Sequence, residues 1–354
     1  MGEKEGRSVG AGGGSGEDSV DSIFSAAVKN QVFAQKKVLQ ANYAPETIPH
    51  RQEQTEAVAS ILAPALRGEK VSNLFVYGNT GTGKTLTVQH VGQRMVDKAG
   101  EVEGTPVKFV YVNCKLRQVA DTEYRMVAEM IKTLGGSVPA TGLPTQEVYN
   151  KFVELIDDQE QIVILVLDEI DQAVQKISDT FIYTLTRLNS ELKKAQISIV
   201  GISNSLTFMD DIDPRVRSSL GEEELVFPPY HALQLQDILS ERAADAFQDG
   251  VLSDGVIAKC AAFAAREHGD ARRALDLLRV AGELSEREHA SGVKESHIDQ
   301  ANEKIEKDKM LAIIESEPRQ FQLVLGAIFS LDERGGAQGR LVKGEQPGIF
   351  TGDV

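Results

Sequence analysis

Lys84 and Thr85, closing the run Gly78-Asn79-Thr80-Gly81-Thr82-Gly83-Lys84-Thr85, have the types and spacing to handle phosphate. The run fits G-x-x-x-x-G-K-[ST] at every position. Its glycines let the backbone curl so that successive N–H groups face an anion, and the helix expected after it adds its positive end. Lys84 would reach the β and γ phosphates of a nucleotide, and the Thr85 hydroxyl would take one position on Mg²⁺. A Gly- and Thr-rich turn between strand and helix is the alternative. Asp168-Glu169 forms the second candidate group, delivered at the end of the apolar run Ile162 to Leu167. Ligands of parallel sheets bind beyond the carboxyl ends of the strands. Asp168 would hold Mg²⁺ through its water shell, and Glu169 would orient and polarise an attacking water. Without the loop upstream, the same pair would read as a strand end and a helix cap. Asp171 reads as structural. Asn204 closes a neighbouring run, where its amide can hold the water or the γ phosphate; a lone Asn there is otherwise a turn residue. Arg272-Arg273 follows Gly269-Asp270 at a helix start, where one arginine can reach the phosphates; a solvated basic face is the other reading. Arg215 and Arg217, in DPRVRSSLG, are candidates for a charge supplied to a neighbouring subunit's nucleotide, against the simpler reading of a surface pair after a Pro turn.

These residues need a scaffold that delivers them to one edge. Asn73 to Tyr77, Val107 to Val112, Ile162 to Leu167, Ile197 to Ile202 and Leu225 to Phe227 are short apolar runs, as expected of parallel strands covered on both faces. Between them lie helical patterns: one from Arg51 with a kink at Pro64 and an end at Gly68, LTVQHVGQRM after the loop, two short ones in 113–135 split near Asp121, one around Val148 to Ile156, and one from Asp179 to Lys194. From His231 the strands disappear and three amphipathic helices follow, with a fourth beginning near His297. Strands alternating with helices imply a doubly wound sheet, and the change to helices alone implies a second small domain, with the boundary at Pro228 to Tyr230. The lead-in SIFSAAVKNQVFAQKKVLQANYAPETIPHRQEQ is expected to wrap across the surface to the core. Residues 1–20, centred on GAGGGSGEDS, have almost no apolar content and are expected to be disordered.

The formal net charge of -15 suits a soluble protein and argues against a surface that is basic all over and binds nucleic acid or membrane indiscriminately. The two cysteines, Cys114 and Cys260, have no metal-ligand spacing and read as buried apolar residues in a reducing compartment. No stretch approaches the ~20 apolar residues of a membrane span, so a cytoplasmic location is expected.

Taken together, NLFVYGNTGTGKT, VLDEID, GISNS, DPRVRSSLGEEELVFPPY and HGDARRALDLLR resemble the AAA+ ATPases, and more narrowly the archaeal replication initiators related to the origin recognition complex and its helicase-loading partner. The resemblance runs from about Val32 to Lys309; SSLGEEELVFPPY and IPHR are its most specific phrases. It implies an α/β AAA+ P-loop parallel-sheet domain over 21–230, a small all-α lid over 231–309, and in 310–354 the start of a winged helix. It makes Gly78 to Thr85 Walker A, Asp168 and Glu169 Walker B, Asn204 sensor 1 and Arg272 the sensor 2 arginine. It places Tyr43, Pro49, His50, Arg51 and Tyr230 around the nucleotide. It assigns Lys115, Arg117 and Gln118, beside Leu116 and ahead of Tyr124 and Arg125, to a DNA-gripping insertion in which positive and flat side chains straddle a phosphate backbone. Two departures stand out. Ser218-Ser219-Leu220 replaces the SSR pattern of several relatives, so a trans-acting finger would be Arg215 or Arg217. Residues 311–354 hold four Lys or Arg against six Asp or Glu and stop at TGDV, before room for a recognition helix and wing, so that unit is expected to be incomplete. The resemblance implies ATP or ADP with Mg²⁺, slow regulatory hydrolysis, and origin duplex DNA, a replicative helicase and a self or paralogue oligomer as partners, with no membrane. Other AAA+ machines, such as a clamp-loader subunit or a remodelling ATPase, and a non-hydrolysing recruitment module are the rival readings.

Overall fold

Five apolar runs assemble into one parallel sheet: β1 (Asn73–Tyr77), β2 (Val107–Asn113), β3 (Ile162–Asp168), β4 (Gln196–Ser203) and β5 (Glu222–Val226), in the order β2-β3-β4-β1-β5. The computed structural model describes residues 31–333 apart from 41, 42, 102, 103, 116–120, 140, 211 and 221. The glycine-rich start and the end of the C-terminal unit lie outside them. In the interior strand β3 every residue is buried, in keeping with an apolar run that shows no alternation. Side chains of alternate parity go to opposite faces. Phe75, Val110, Leu165 and Ile199 pack on one side with Met126, Phe152 and Phe181; Leu74, Ile164, Val166 and Val200 pack on the other with Val58, Leu62 and Val88.

The helices of this domain are α1 (Gln52–Leu62), α2 (Lys84–Glu101), α3 (Glu123–Thr133), α4 (Thr145–Ile156), α5 (Ile170–Ile177), α6 (Thr180–Leu188) and α7 (Pro214–Leu220). Several depart from the sequence expectation for local reasons. The helix expected to kink at Pro64 instead ends at Leu62, and a 3-10 turn over Ala63–Arg67 leads to Gly68 in the left-handed region. The helix expected to reach Lys194 stops at Leu188, because the Asn189 amide exchanges two hydrogen bonds with the Ile197 backbone, at 2.7 and 2.8 Å. Strand β5 starts three residues before the apolar run, pairing Asn73 with Glu222 and Tyr77 with Val226. It is an edge strand, so Glu223 and Glu224 can stay exposed. Of the two patterns expected in 113–135, the second is α3; most of the first falls outside the described residues.

The second domain comprises α8 (Ala232–Ala246), α9 (Val256–Glu267), α10 (Ala271–Arg287) and the first half of α11 (Glu295–Ser316), around a core of Leu235, Leu239, Cys260, Leu277, Leu278 and Ile298. The lead-in does not simply cross the surface. Val32, Phe33, Val38 and Leu39 are buried in this helical core, with the Phe33 ring 4.8 Å from Phe247 and the two residues paired as a backbone bridge. Helix α11 continues without a break past residue 309, and α12 (Arg319–Glu333) follows with Phe321, Leu323 and Phe329 exposed. Among the described residues no helix is long and apolar enough to cross a membrane.

Candidate functional site

The sheet order puts the carboxyl ends of β1, β3 and β4 side by side, so the phosphate loop, the acidic pair and Asn204 meet at one edge. The loop that follows β1 takes positive φ at Gly78, Gly81 and Gly83. At Gly81 the requirement is also one of space. A Cβ there would lie 1.6 Å from Asp270 Oδ1, on the second domain. The lysine that opens α2 is 5 % exposed, and its ammonium donates to Gly78 O at 2.7 Å, Asn79 O at 2.8 Å and Asn204 Oδ1 at 2.9 Å. Burial pulls Lys84 down to about 8, against the raising pull of Asp168, while Arg272 adds to the lowering.

Asp168 is held from three sides. Its Oδ2 accepts from Thr85 Oγ1 at 3.0 Å and from Tyr111 Oη at 2.6 Å, and its Oδ1 accepts from the Glu169 N–H at 3.0 Å. Burial, with Asp168 alongside, pushes the Tyr111 phenol up, so it stays a donor. Glu169 sits in the left-handed region, φ 55 and ψ 46, a conformation that costs a non-glycine residue on the order of 1 kcal/mol. Its carboxylate faces Lys115 Nζ at 3.3 Å. Asp171 accepts from Ser203 Oγ at 3.1 Å.

A cavity of about 280 Å³ lies between the two domains. Thr80 to Thr85, Asp168, Glu169, Asn204 and Arg272 supply its polar lining; Ile48, Pro49, Ile238 and Leu275 supply apolar lining, with Tyr43 and Tyr230. The Arg242 guanidinium stacks 4.6 Å from the Tyr43 ring, and burial lowers its pKa. The neighbours Arg272 and Arg273 take different paths. Arg273 is bound to Glu267, Asn302 and Glu306 at 2.7 to 3.3 Å, whereas Arg272 lines the cavity. The second domain rests directly on the loop: the Ala271 N–H donates to Gly81 O at 3.2 Å, and Asp270 caps α10 through the N–H groups of Arg272 and Arg273. Burial raises the Asp270 pKa.

A nucleotide fits this donor set. Glycines at positive φ let the loop curl its N–H groups towards an anion, the buried ammonium has three neutral oxygen partners to exchange for phosphate oxygens, and the apolar side chains in the lining suit a base. Mg²⁺ fits as well. Thr85 Oγ1 and Asp168 Oδ2 are hard oxygen donors 3.0 Å apart, and the described residues contain no cluster of three His, Cys, Asp or Glu that would suit a softer metal.

Other expected site residues lie elsewhere. His50 and Arg51 do not line the cavity: His50 pairs with Asp237 at 3.0 Å, and Arg51 is buried behind the loop. Arg215 is exposed and away from the cavity, with no side-chain partner among the described residues, while Arg217 pairs with Asp210 at 3.4 Å. Of the DNA-contact set, Lys115 is exposed and faces Glu169; Arg117 and Gln118 lie outside the described residues. Tyr124 and Arg125 are engaged internally, by Pro139 O and Asp121. Sequence reasoning missed Tyr111 and Asn113, although the alternation of VKFVYVN puts both on one face and the β2–β3 register sets Asn113 beside Asp168.

Two family descriptions match the chain: an AAA ATPase domain over residues 47–200 and the Cdc6 AAA+ ATPase-type lid domain over 236–303. An ORC1-type DNA replication protein of Thermococcus onnurineus is 52 % identical over 324 residues, covering 90 % of this chain and 77 % of that one. The Aeropyrum pernix ORC1 protein, solved in complex with DNA, superposes with a TM-score of 0.76 at 46 % identity, covering 86 % of this chain and 78 % of its own. The Aeropyrum pernix ORC2 protein, solved in ADPNP–ADP complexes, gives a TM-score of 0.65 at 25 % identity over 76 % of this chain and 72 % of its own.

Proposed function

This chain belongs to the ORC1-type DNA replication protein family, and from that premise we propose an initiator that binds origin duplex DNA and helps load the replicative helicase, switched by ATP binding and slow hydrolysis. Replication initiation and ATPase activity come with the family. The observation that supports the finer reading is the cavity shared by the phosphate loop and Arg272, because a site built from both domains makes their angle depend on what fills it.

ATP enters with its base among Ile48, Pro49 and Leu275 and its phosphates on the loop. Lys84 then exchanges its bonds to Gly78 O, Asn79 O and Asn204 for the β and γ phosphate oxygens. Mg²⁺, when bound, neutralises charge on those oxygens, and Thr85 and Asp168 would hold it. Glu169 accepts a proton from the attacking water, which Asn204 holds from the other side. The Glu169 carboxylate must first leave Lys115. Arg272 brings positive charge to the γ phosphate from the second domain, and the exposed Arg215 serves the site of an adjacent copy or paralogue. Lys115, with Arg117 and Gln118, is assigned to the DNA backbone. The DNA of the Aeropyrum ORC1 complex and the nucleotides of the ORC2 complexes support the ligands proposed for this chain, and a cytoplasmic location goes with them.

The test is fluorescence anisotropy of labelled origin duplex against scrambled duplex, over a salt series with ATP and with ADP. The Thermococcus relative serves as the positive control. Origin preference that differs between the nucleotides is expected. DNA binding by the relative but none by this chain, at low salt, overturns the DNA reading.

A further inference from the structure

Arg51 is among the largest fully buried side chains of the protein, 2 % exposed, and it carries a charge. Each of its hydrogen-bond partners is neutral. Nε donates to Thr82 O at 2.8 Å, Nη1 to His50 O at 3.1 Å and Nη2 to Pro228 O at 2.5 Å, while the guanidinium carbon lies 3.8 Å from the Tyr230 ring centroid. Among the described residues no carboxylate pairs with it. A buried guanidinium without a counter-ion is unfavourable unless its donors are all occupied or an anion approaches. Its stem lies directly behind the phosphate loop: a Cβ on Gly83 would be 3.7 Å from Arg51 Cγ.

The partners of Arg51 are telling in kind. Thr82 belongs to the phosphate loop, and Pro228 and Tyr230 form the connection between the two domains. From Tyr230 the backbone N–H donates to Gly269 O at 3.2 Å, and two residues later the Ala271 N–H donates to Gly81 O at 3.2 Å. A closed circuit results, in which adjacent loop residues are tied to the second domain by two routes. Gly81 is tied directly, and Thr82 through Arg51 and the hinge. Breaking the Arg51 route leaves the other in place.

We propose that Arg51 is a positioning residue that couples the phosphate loop to the interdomain hinge, its guanidinium gripping Thr82 O and Pro228 O together so that loop movement on phosphate binding resets the angle of the helical domain. This rests on reading Gly78 to Thr85 as the nucleotide site. Arginine fits the role because its planar fork holds three acceptors in fixed directions while one face remains for the Tyr230 ring; lysine offers a point charge and no fixed directions.

Spin labels placed through Lys151→Cys on α4 and Arg287→Cys on α10, both exposed, report the distance between domains; the native Cys114 and Cys260 are buried and stay unlabelled. The doubly labelled protein is measured by electron–electron double resonance without nucleotide, with Mg-ADP and with a non-hydrolysable Mg-ATP analogue, and nucleotide affinity is titrated in parallel. The parent should shift its distance with nucleotide. Arg51→Met should still bind nucleotide, weakened by no more than about ten-fold, yet show a broadened distribution that no longer distinguishes ADP from the analogue. Arg51→Lys should recover affinity and not the distance response. Should Arg51→Met fail to fold, Tyr230→Leu removes the ring beneath the guanidinium and should blunt the response in the same direction. A parent-like response in Arg51→Met or, in its place, Tyr230→Leu overturns the proposal, as does a parent that binds nucleotide without any shift. A parent that binds no nucleotide sinks the reading of the loop on which the proposal rests.

Discussion

Raising the pH from 7.5 to 9 should weaken nucleotide binding about eight-fold through Lys84 alone. Burial holds its pKa at about 8 in the nucleotide-free protein, against a reference of 10.5. A nucleotide's phosphates favour the ammonium form, so binding captures a proton wherever the free protein has released one. About three-quarters of the molecules carry that proton at pH 7.5 and about one-tenth at pH 9, and the ratio of those fractions is the loss in affinity. Stability moves the other way. The folded value lies below the unfolded one, so between pH 8 and 10.5 the unfolded chain holds more protons. The destabilisation, at most about 3 kcal/mol and less where water still reaches the ammonium, is full below pH 8 and relieved as pH rises through that window. The assay is titration with a fluorescent nucleotide at each pH, with calorimetry in buffers of different ionisation enthalpy to count protons taken up. A guanidinium in place of the ammonium stays charged throughout, so Lys84→Arg should bind with a flat pH profile. An affinity that does not change between pH 7.5 and 9, with no proton uptake, would refute the account of Lys84 as a buried, partly titrated ammonium.

Glu169→Gln should keep nucleotide bound while turnover falls about 10²- to 10⁴-fold, and normal turnover by the purified variant would sink the assignment of the general base. Tyr111→Phe removes one of the donors to Asp168 Oδ2 and leaves that of Thr85. About ten-fold more Mg²⁺ should then be needed to retain fluorescent nucleotide, and an unchanged half-saturation would show that Tyr111 does not position the carboxylate.

The chain's strands and phosphate loop were legible because their signals are local. An apolar run that stops at glycines or at Asp168-Glu169 carries its own evidence, and all five strands fall where such runs occur. Strand β5 was misplaced at its start for the converse reason: Glu222 to Glu224 have no strand-like chemistry, and only pairing with β1 recruits them. The lead-in looked like surface chain because its buried residues, Val32, Phe33, Val38 and Leu39, show no clear face until α8 and α10 supply a groove for them.

Residue pattern alone therefore determined the α/β class and the change to helices after Tyr230, and it singled out Lys84, Thr85, Asp168, Glu169 and Asn204, which the fold brings to one cavity, since each stands at a strand end or loop whose signature lies within a few neighbours. Tertiary structure decided the rest. Arg272 and Arg273 are adjacent and alike, but a helix turns about 100° per residue, so one faces the cavity and the other Asn302 and Glu306 of α11. Arg51 stands in a phrase that suggests a nucleotide contact, yet its direction is set by Thr82, Pro228 and Tyr230, which lie 31 and more residues away. Such choices depend on contacts between distant segments, and a sequence read locally does not contain the distances that make them.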